Sequence, residues 1–260
     1  MDRAVRAKKQ FGQNFLTDSW IKRQIIEAMP DSDRLLVEIG PGLGDLTTEL
    51  LKKRSTVVIE IDRELCARLE SGFSHEIASG ELTLVEGDVL ALWDRQGSLQ
   101  SAPYDLVANL PYYIATEIIL RALRDPQCVS LLVMIRREVP LKFTASPKEK
   151  AFSPLAILVQ SIGRSRWIVD VPPESFEPAP KVDSAVILIT KEAPAYDEAF
   201  AAFLRRAFTQ PRKQLIKNLQ PLWTKEQLEA SFEALSLDPR IRPHEMTTDT
   251  FLALYSRLKG

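Results

Sequence analysis

From Leu35 to about Ile135, short β-branched runs alternate with stretches whose apolar residues recur at helical spacing. Strands are predicted at Leu35–Ile39, Thr56–Ile61, Leu82–Glu86, Asp105–Ala108 and Leu131–Ile135, and helices at Leu43–Lys53, Glu64–Ser71 and Thr116–Arg124. That alternation predicts a parallel α/β sheet of Rossmann-like type with helices on both faces. A helix over Asp18–Ala28, with Thr17 or Asp18 as its N-cap, precedes the first strand. Further strands are expected at Ala156–Ser161, Trp167–Val171 and Ala185–Thr190. The last two flank a Pro-rich loop, residues 171–181, that cannot be helical. After Ala193-Pro194 only helical patterns remain. They cover 197–208, a helix opened by the capping-box form Thr224-Lys-Glu-Gln227, and 248–258 with its broad apolar face. The expected organisation is an α/β body over residues 1–192 and a small all-helical domain over 193–260.

Composition narrows the class. The chain has 260 residues, 45% hydrophobic and 27% charged, which suits a globular protein with a sizeable core. No apolar run approaches the roughly 20 residues needed to span a bilayer. The basic N-terminus lacks the apolar stretch of a secretory signal, so a cytoplasmic protein is expected. Two cysteines (Cys66, Cys128) and two histidines (His75, His244) give neither a disulfide framework nor a metal-ligand cluster, and no metal is expected. The net charge of −1 conceals an uneven distribution. Lys and Arg outnumber Asp and Glu 6 to 2 in residues 1–23 and 14 to 9 in 134–217, but trail 9 to 18 in 24–133. Between Ala199 and Lys225 there is no acid, against Arg205, Arg206, Arg212, Lys213 and Lys217. A charge run is commonly just a solvated face. A basic arm and a basic helix-to-loop stretch on an acidic body can also form a polyanion-binding face, which makes those five side chains candidate RNA contacts.

Chemistry concentrates at strand ends. Leu35–Ile39 runs into Gly40-Pro-Gly42-Leu-Gly44, a loop whose glycines allow a sharp turn and a close approach of main-chain N–H groups to a ligand. Glu60 follows Gly40 by twenty positions, at the end of the next strand, where a carboxylate can accept from a ribose diol. Asp88, after the third strand, could accept from an adenine amine, although alone it reads as a helix cap. A nicotinamide or flavin fingerprint requires glycine at position 45, where Asp45 stands. Asp45 would repel a pyrophosphate but not a sulfonium or an ammonium group. A tight turn with no ligand is the plain alternative.

Residues 109–112, Asn-Leu-Pro-Tyr, follow the fourth strand at the same edge. An aryl amine is a poor nucleophile because its lone pair is delocalised into the ring. The Asn109 side-chain oxygen and the Leu110 carbonyl are candidate acceptors that hold such an amine with its lone pair turned out of the plane. Pro111 stiffens the loop. The Tyr112 ring can stack on a base, a contact worth roughly 1–3 kcal/mol. With the glycine loop, this points to methyl transfer from a sulfonium cofactor to the exocyclic amine of adenine, driven by orientation and electrostatic placement.

Taken together, Lys9-Gln-Phe-Gly-Gln-Asn14-Phe-Leu16, Glu38–Gly44, Glu60-Ile-Asp62, Gly87-Asp88, Asn109–Tyr112, Phe176–Ser184 and Arg212-Lys213…Asn218-Leu219 resemble the KsgA/Dim1 family of ribosomal RNA adenine dimethyltransferases over nearly the whole chain. The resemblance implies a class I methyltransferase sheet and S-adenosylmethionine as methyl donor. It implies dimethylation of two adjacent adenines in the 3′-terminal hairpin of small-subunit ribosomal RNA, in a pre-ribosomal particle. By it, Asn14, Leu16, Gly40, Gly42, Glu60, Asp88 and Asn109 contact or border the cofactor. Phe176 flanks the target base opposite Tyr112, the helical domain docks on the assembling subunit, and a monomer is expected. Read from the residues alone, Phe176 is an anchor for its Pro-rich loop. The chain departs from the family pattern at Tyr113, Ala115, Arg136, Ala151-Phe-Ser-Pro154 and Pro211. These departures leave the methyl-transfer core intact and bear on how the substrate loops grip RNA.

Overall fold

The computed structural model describes Lys8 and residues 12–192 and 196–259. The rest of the basic N-terminal arm, the start of the Lys9–Leu16 motif and the Ala193-Pro194 break lie outside the described residues. In chain order come β1 (Phe15–Leu16), α1 (Ser19–Ala28), β2 (Leu35–Ile39), α2 (Asp45–Leu51), β3 (Thr56–Glu60), α3 (Arg63–Gly72) and α4 (Ser74–Ser79). Next are β4 (Leu82–Glu86), α5 (Val89–Gln96), β5 (Tyr104–Asn109), α6 (Ala115–Arg124), β6 (Cys128–Arg136), α7 (Leu141–Thr144) and α8 (Pro154–Ile162). The chain continues through β7 (Gly163–Val171), β8 (Phe176–Glu177), β9 (Ser184–Lys191), α9 (Glu198–Ala207), α10 (Leu215–Leu219), α11 (Lys225–Ala234) and α12 (Thr248–Lys259).

Seven strands form one sheet in the order β4-β3-β2-β5-β6-β9-β7. The five strands β4, β3, β2, β5 and β6 are parallel, in keeping with the alternating pattern, while β9 joins β6 antiparallel. The parallel strands β2 and β3 read as continuous buried runs because helices cover both faces. α6 shows why a segment commits to helix: Ala115, Ile118, Ile119, Ala122 and Leu123 fall on one stripe and are all buried. Strand order reverses between β2 and β5, so the crevice at their carboxyl ends is the switch point where α/β sheets take ligands.

The opposite strand ends are clamped. Buried Asp105, near the start of β5, accepts hydrogen bonds from Ser32, Arg34, Arg54 and Ser130. Burial raises its pKa, but those partners outweigh burial and leave the carboxyl below its ordinary value. Asp125 does the same for Trp93, Ser98 and Tyr104. These clamps fix the sheet at one end and leave the other for chemistry.

The chain divides into two compact units, one of residues 1–140 and 166–191, the other of 141–165 and 192–260. The single division expected near residue 192 therefore needs correcting, because α7 and α8 belong with the helical unit. Ala156, Ile157 and Leu158 pack in one cluster with Phe200, Phe203, Phe208 and Phe251. The strand expected at Ala156–Ser161 is instead part of α8. Pro154 sits in its first turn, where its missing N–H costs nothing, and Ala156, Ile157, Leu158, Val159 and Ile162 are all buried. A short apolar run buried on every side carries no period that separates strand from helix.

Candidate active site

Four strand ends and the N-terminal segment close on one cavity of about 210 Å³, lined by Asn14, Leu16, Glu38, Gly40, Gly42, Glu60, Asp88, Asn109, Leu110, Tyr112 and Tyr113 among others. The glycine loop works differently from the sequence expectation. Gly40 N–H donates to Ile59 O at 2.9 Å, Gly42 N–H to Glu60 Oε2 at 3.3 Å and Gly44 N–H to Pro41 O at 3.0 Å. Their donors are spent inside the protein rather than aimed at a ligand. What the glycines supply is positive φ and room. Gly40 has φ +67°, and a Cβ there would meet nothing within 4 Å. Gly44, at φ +85°, would drive a Cβ to 2.5 Å from the Phe73 ring, so it fixes how closely α2 approaches α3.

Glu60 is 5% exposed and lines the cavity. Its Oε1 accepts from Ile61 N and Asp62 N, both at 2.9 Å, which leaves Oε2, lightly held by Gly42, as its spare acceptor. Burial pushes its pKa up against these three hydrogen bonds. Asp62 in turn accepts from Lys8 Nζ at 2.7 Å and Gln13 Nε2 at 3.1 Å, tying the N-terminal segment to the end of β3. Asp88 fulfils the cap reading, accepting from Leu90 N at 2.8 Å through Oδ1, and it borders the cavity as well.

Glu38 is a residue that sequence reasoning quoted without a role. It is 2% exposed, faces the cavity and accepts from Thr47 Oγ1 at 2.6 Å. Burial, with help from nearby Glu60, pushes it up to about 8. The one available signal was a lone acid inside an apolar strand. A carboxyl whose folded value lies above its unfolded one binds extra protons when folded, so stability falls as pH rises from about 4.5 towards about 8. The ligand-free protein is therefore expected to have a higher urea midpoint at pH 5.5 than at pH 8, and Glu38→Gln to weaken that dependence. Equal pH dependence in the two proteins would show that Glu38 is not the group responsible.

Asn109 is the last residue of β5, and its Nδ2 donates to Asn14 O at 3.0 Å. That bond fixes the amide and reserves Oδ1 as an acceptor. Leu110 N–H is pinned to Met134 O at 3.1 Å, and the Leu110 side chain is buried. Tyr112 is half-buried. Its hydroxyl shares a 2.7 Å hydrogen bond with Ser184 Oγ, and the Arg136 guanidinium stands 5.2 Å from its ring centroid. Burial raises its pKa, opposed by Ser184 and Arg136. The last residue of the Phe176–Ser184 signature thus anchors Tyr112.

Phe176 departs from its expected place. It is 3% exposed, packs with Leu16, Met134 and Val186, and is absent from the cavity lining. It pairs across a two-stranded ribbon, β1 with β8, in the register Leu16↔Phe176. Ser175 O accepts from Thr17 N at 2.9 Å beside it. That burial against the ribbon is the placement of a loop anchor. No period or motif in the sequence announces a ribbon of two-residue strands.

In the helical unit Arg205, Arg212, Lys213 and Lys217 are exposed. Arg206 is half-buried, and its Nε is buried without an acceptor among the described residues. Asn218 is buried and donates through Nδ2 to Ala207 O (2.7 Å) and Gln210 O (3.2 Å), pinning the turn that displays Arg212 and Lys213. Among the described residues no group of three or more His, Cys, Asp or Glu could hold a metal, and no helix is long and apolar enough to cross a membrane.

A seven-stranded sheet with a glycine turn, an acid at the end of the next strand and an Asn-Leu-Pro-Tyr edge defines a class I methyltransferase fold. The chain matches the family described as ribosomal RNA adenine dimethylase over residues 4–259 and belongs to that family. It is 51% identical over 251 residues to ribosomal RNA small subunit methyltransferase A of Sulfurimonas denitrificans, covering 96% of this chain and 93% of that one. It is 44% identical to the protein of the same name from Aliarcobacter butzleri, covering 98% and 97%. Among solved structures, a dimethyladenosine transferase from Plasmodium falciparum aligns with TM-score 0.78 at 22% identity, over 94% of this chain and 97% of that one. The 23S rRNA methyltransferase ErmE aligns with 0.75 at 23% identity, over 95% and 100%. The two structures share the fold and do not distinguish one RNA substrate from another.

Proposed function

We propose that this protein transfers methyl groups from S-adenosylmethionine to the exocyclic amines of two adjacent adenines in the 3′-terminal hairpin of small-subunit ribosomal RNA. It does so as a cytoplasmic monomer acting on a pre-ribosomal particle. The observation that carries this reading is the convergence of Asn109 and Tyr112 with Glu60 and Gly40 on one cavity. The residues fit the cofactor. Glu60 Oε2 can receive a ribose hydroxyl, and Gly40 leaves room beside it. When bound, the cofactor supplies a methyl carbon activated by positive sulfur.

The chain's own work is orientation. Asn109 Oδ1, fixed by the bond to Asn14, accepts from the adenine amine and turns its lone pair out of the ring plane. The Leu110 carbonyl is the second proposed acceptor, and Tyr112, held at its hydroxyl by Ser184, stacks on the base. No general base is needed to begin, because the amine proton becomes acidic once nitrogen bonds carbon.

Labelled methyl transfer to under-methylated small subunits, followed by mass mapping of the modified nucleosides, tests the reading. Dimethyladenosine in the 3′-terminal hairpin is expected; modification of large-subunit RNA alone overturns the substrate assignment. RNA binding through Arg205, Arg212, Lys213 and Lys217 belongs to the same reading. Replacing Arg212 and Lys213 with alanine is expected to weaken RNA binding and make its salt dependence shallower by roughly 1.5 units of log K against log salt. An unchanged slope would place the RNA surface elsewhere.

A further inference from the structure

Tyr113 is 65% exposed, the most solvent-open of the chain's large hydrophobic side chains among the described residues. It is also part of the cavity lining, directly beside Tyr112. The two neighbours face different ways. Tyr112 is half-buried and tied by its hydroxyl to Ser184, whereas Tyr113 lies outside at the mouth. A Cβ at Gly12 would lie 3.5 Å from Tyr113 Cδ1 and Cε1 and 3.7 Å from Pro111 Cβ, so one edge of the ring sits against the Gly12 backbone and the rest is open.

A single exposed aromatic side chain is ordinary; what gives this one a partner is its place at the mouth of the cavity beside Tyr112. The substrate supplies a candidate. Two adjacent adenines are modified in turn, and while one occupies the cavity its neighbour is an unpaired base at the mouth. Such a base stacks on any exposed aromatic face. We infer that Tyr113 is a second stacking platform that holds the adenine next to the target, making it a specificity-determining residue for modification of the pair. This rests on the adenine-pair reading given above.

The experiment uses the full-length protein with under-methylated small subunits whose RNA carries 2-aminopurine at either target adenine, read by fluorescence, alongside single-turnover methyl transfer to unsubstituted subunits. Tyr113→Ala is expected to lower kcat/KM for RNA by roughly 5- to 150-fold, the range spanned by one lost base stack. Cofactor affinity and melting temperature are expected to stay at wild-type values, and Tyr113→Phe to restore the rate. With 2-aminopurine at the neighbouring adenine, quenching on binding is expected with wild type and with Tyr113→Phe, and to be lost with Tyr113→Ala. A Tyr113→Ala rate within twofold of wild type, or unchanged quenching, overturns the inference while leaving the adenine reading intact. A wild-type protein that methylates no adenine overturns that reading instead. A Tyr113→Ala protein that melts early or loses cofactor shows a structural role and also overturns the inference.

Discussion

Asn109→Ala is expected to reduce methyl transfer by at least about 10³-fold while cofactor affinity stays within about threefold. Losing a positioned acceptor from a reacting centre typically costs on the order of 10²–10³ in rate. Here the acceptor also sets the direction of the nitrogen lone pair, so misorientation adds to the loss. The structure sharpens the test. Asn109 Nδ2 donates to Asn14 O, so aspartate at this position keeps an acceptor but loses the donor and sets a carboxylate against a carbonyl. Asn109→Asp is therefore expected to be nearly as inactive as Asn109→Ala, although it differs by one atom group. Single-turnover transfer and equilibrium cofactor binding measured on both variants separate the roles. A large loss of cofactor binding with little change in the chemical step would show that Asn109 holds the donor and not the acceptor base.

The parallel part of the sheet was legible because β-branched runs bounded by turn residues alternate with apolar helical stripes, as at Val37, Val57 and Ile118. The positions that end those strands could be named for the same reason, since Gly40, Glu60, Asp88 and Asn109 follow directly from where each strand stops. What stayed hidden depends on packing between segments far apart in sequence. α8 is apolar on all sides, so only its partners Phe200 and Phe203 make it a helix in the second unit. The direction of the Gly42 N–H depends on Glu60, eighteen residues away, and no local pattern encodes that bond. Phe176 is held by a ribbon whose other strand is Phe15–Leu16. Conversely, the Ser184 contact explains why a signature far from residues 109–112 belongs with them: it fixes the ring of Tyr112.

Glu60→Ala is expected to raise the cofactor dissociation constant about 100-fold or more. Hydrogen bonds to a charged group are worth roughly 1.5–3 kcal/mol each, and a ribose diol can make up to two here. The alanine also frees Ile61 N–H, Asp62 N–H and Gly42 N–H, so loosening of the glycine turn and a lower melting temperature should accompany the loss. Glu60→Gln separates the two contributions. Its oxygen can still accept from Ile61 and Asp62 and hold the turn, but its amide would face Gly42 N–H donor to donor and present one acceptor fewer. That variant is expected to melt close to wild type and still bind cofactor substantially more weakly. pH supplies an independent check. Burial raises the Glu60 pKa, so the carboxylate becomes protonated at a higher pH than an exposed glutamate, and acceptance from hydroxyls fails as pH falls through that range. Wild-type cofactor affinity is therefore expected to decline on acidification above the ordinary value of 4.5, and the Glu60→Gln protein to lack that part of the decline. If Glu60→Gln binds cofactor within threefold of wild type at every pH, the ribose is received by another residue and the assignment of β3's terminal acid is wrong.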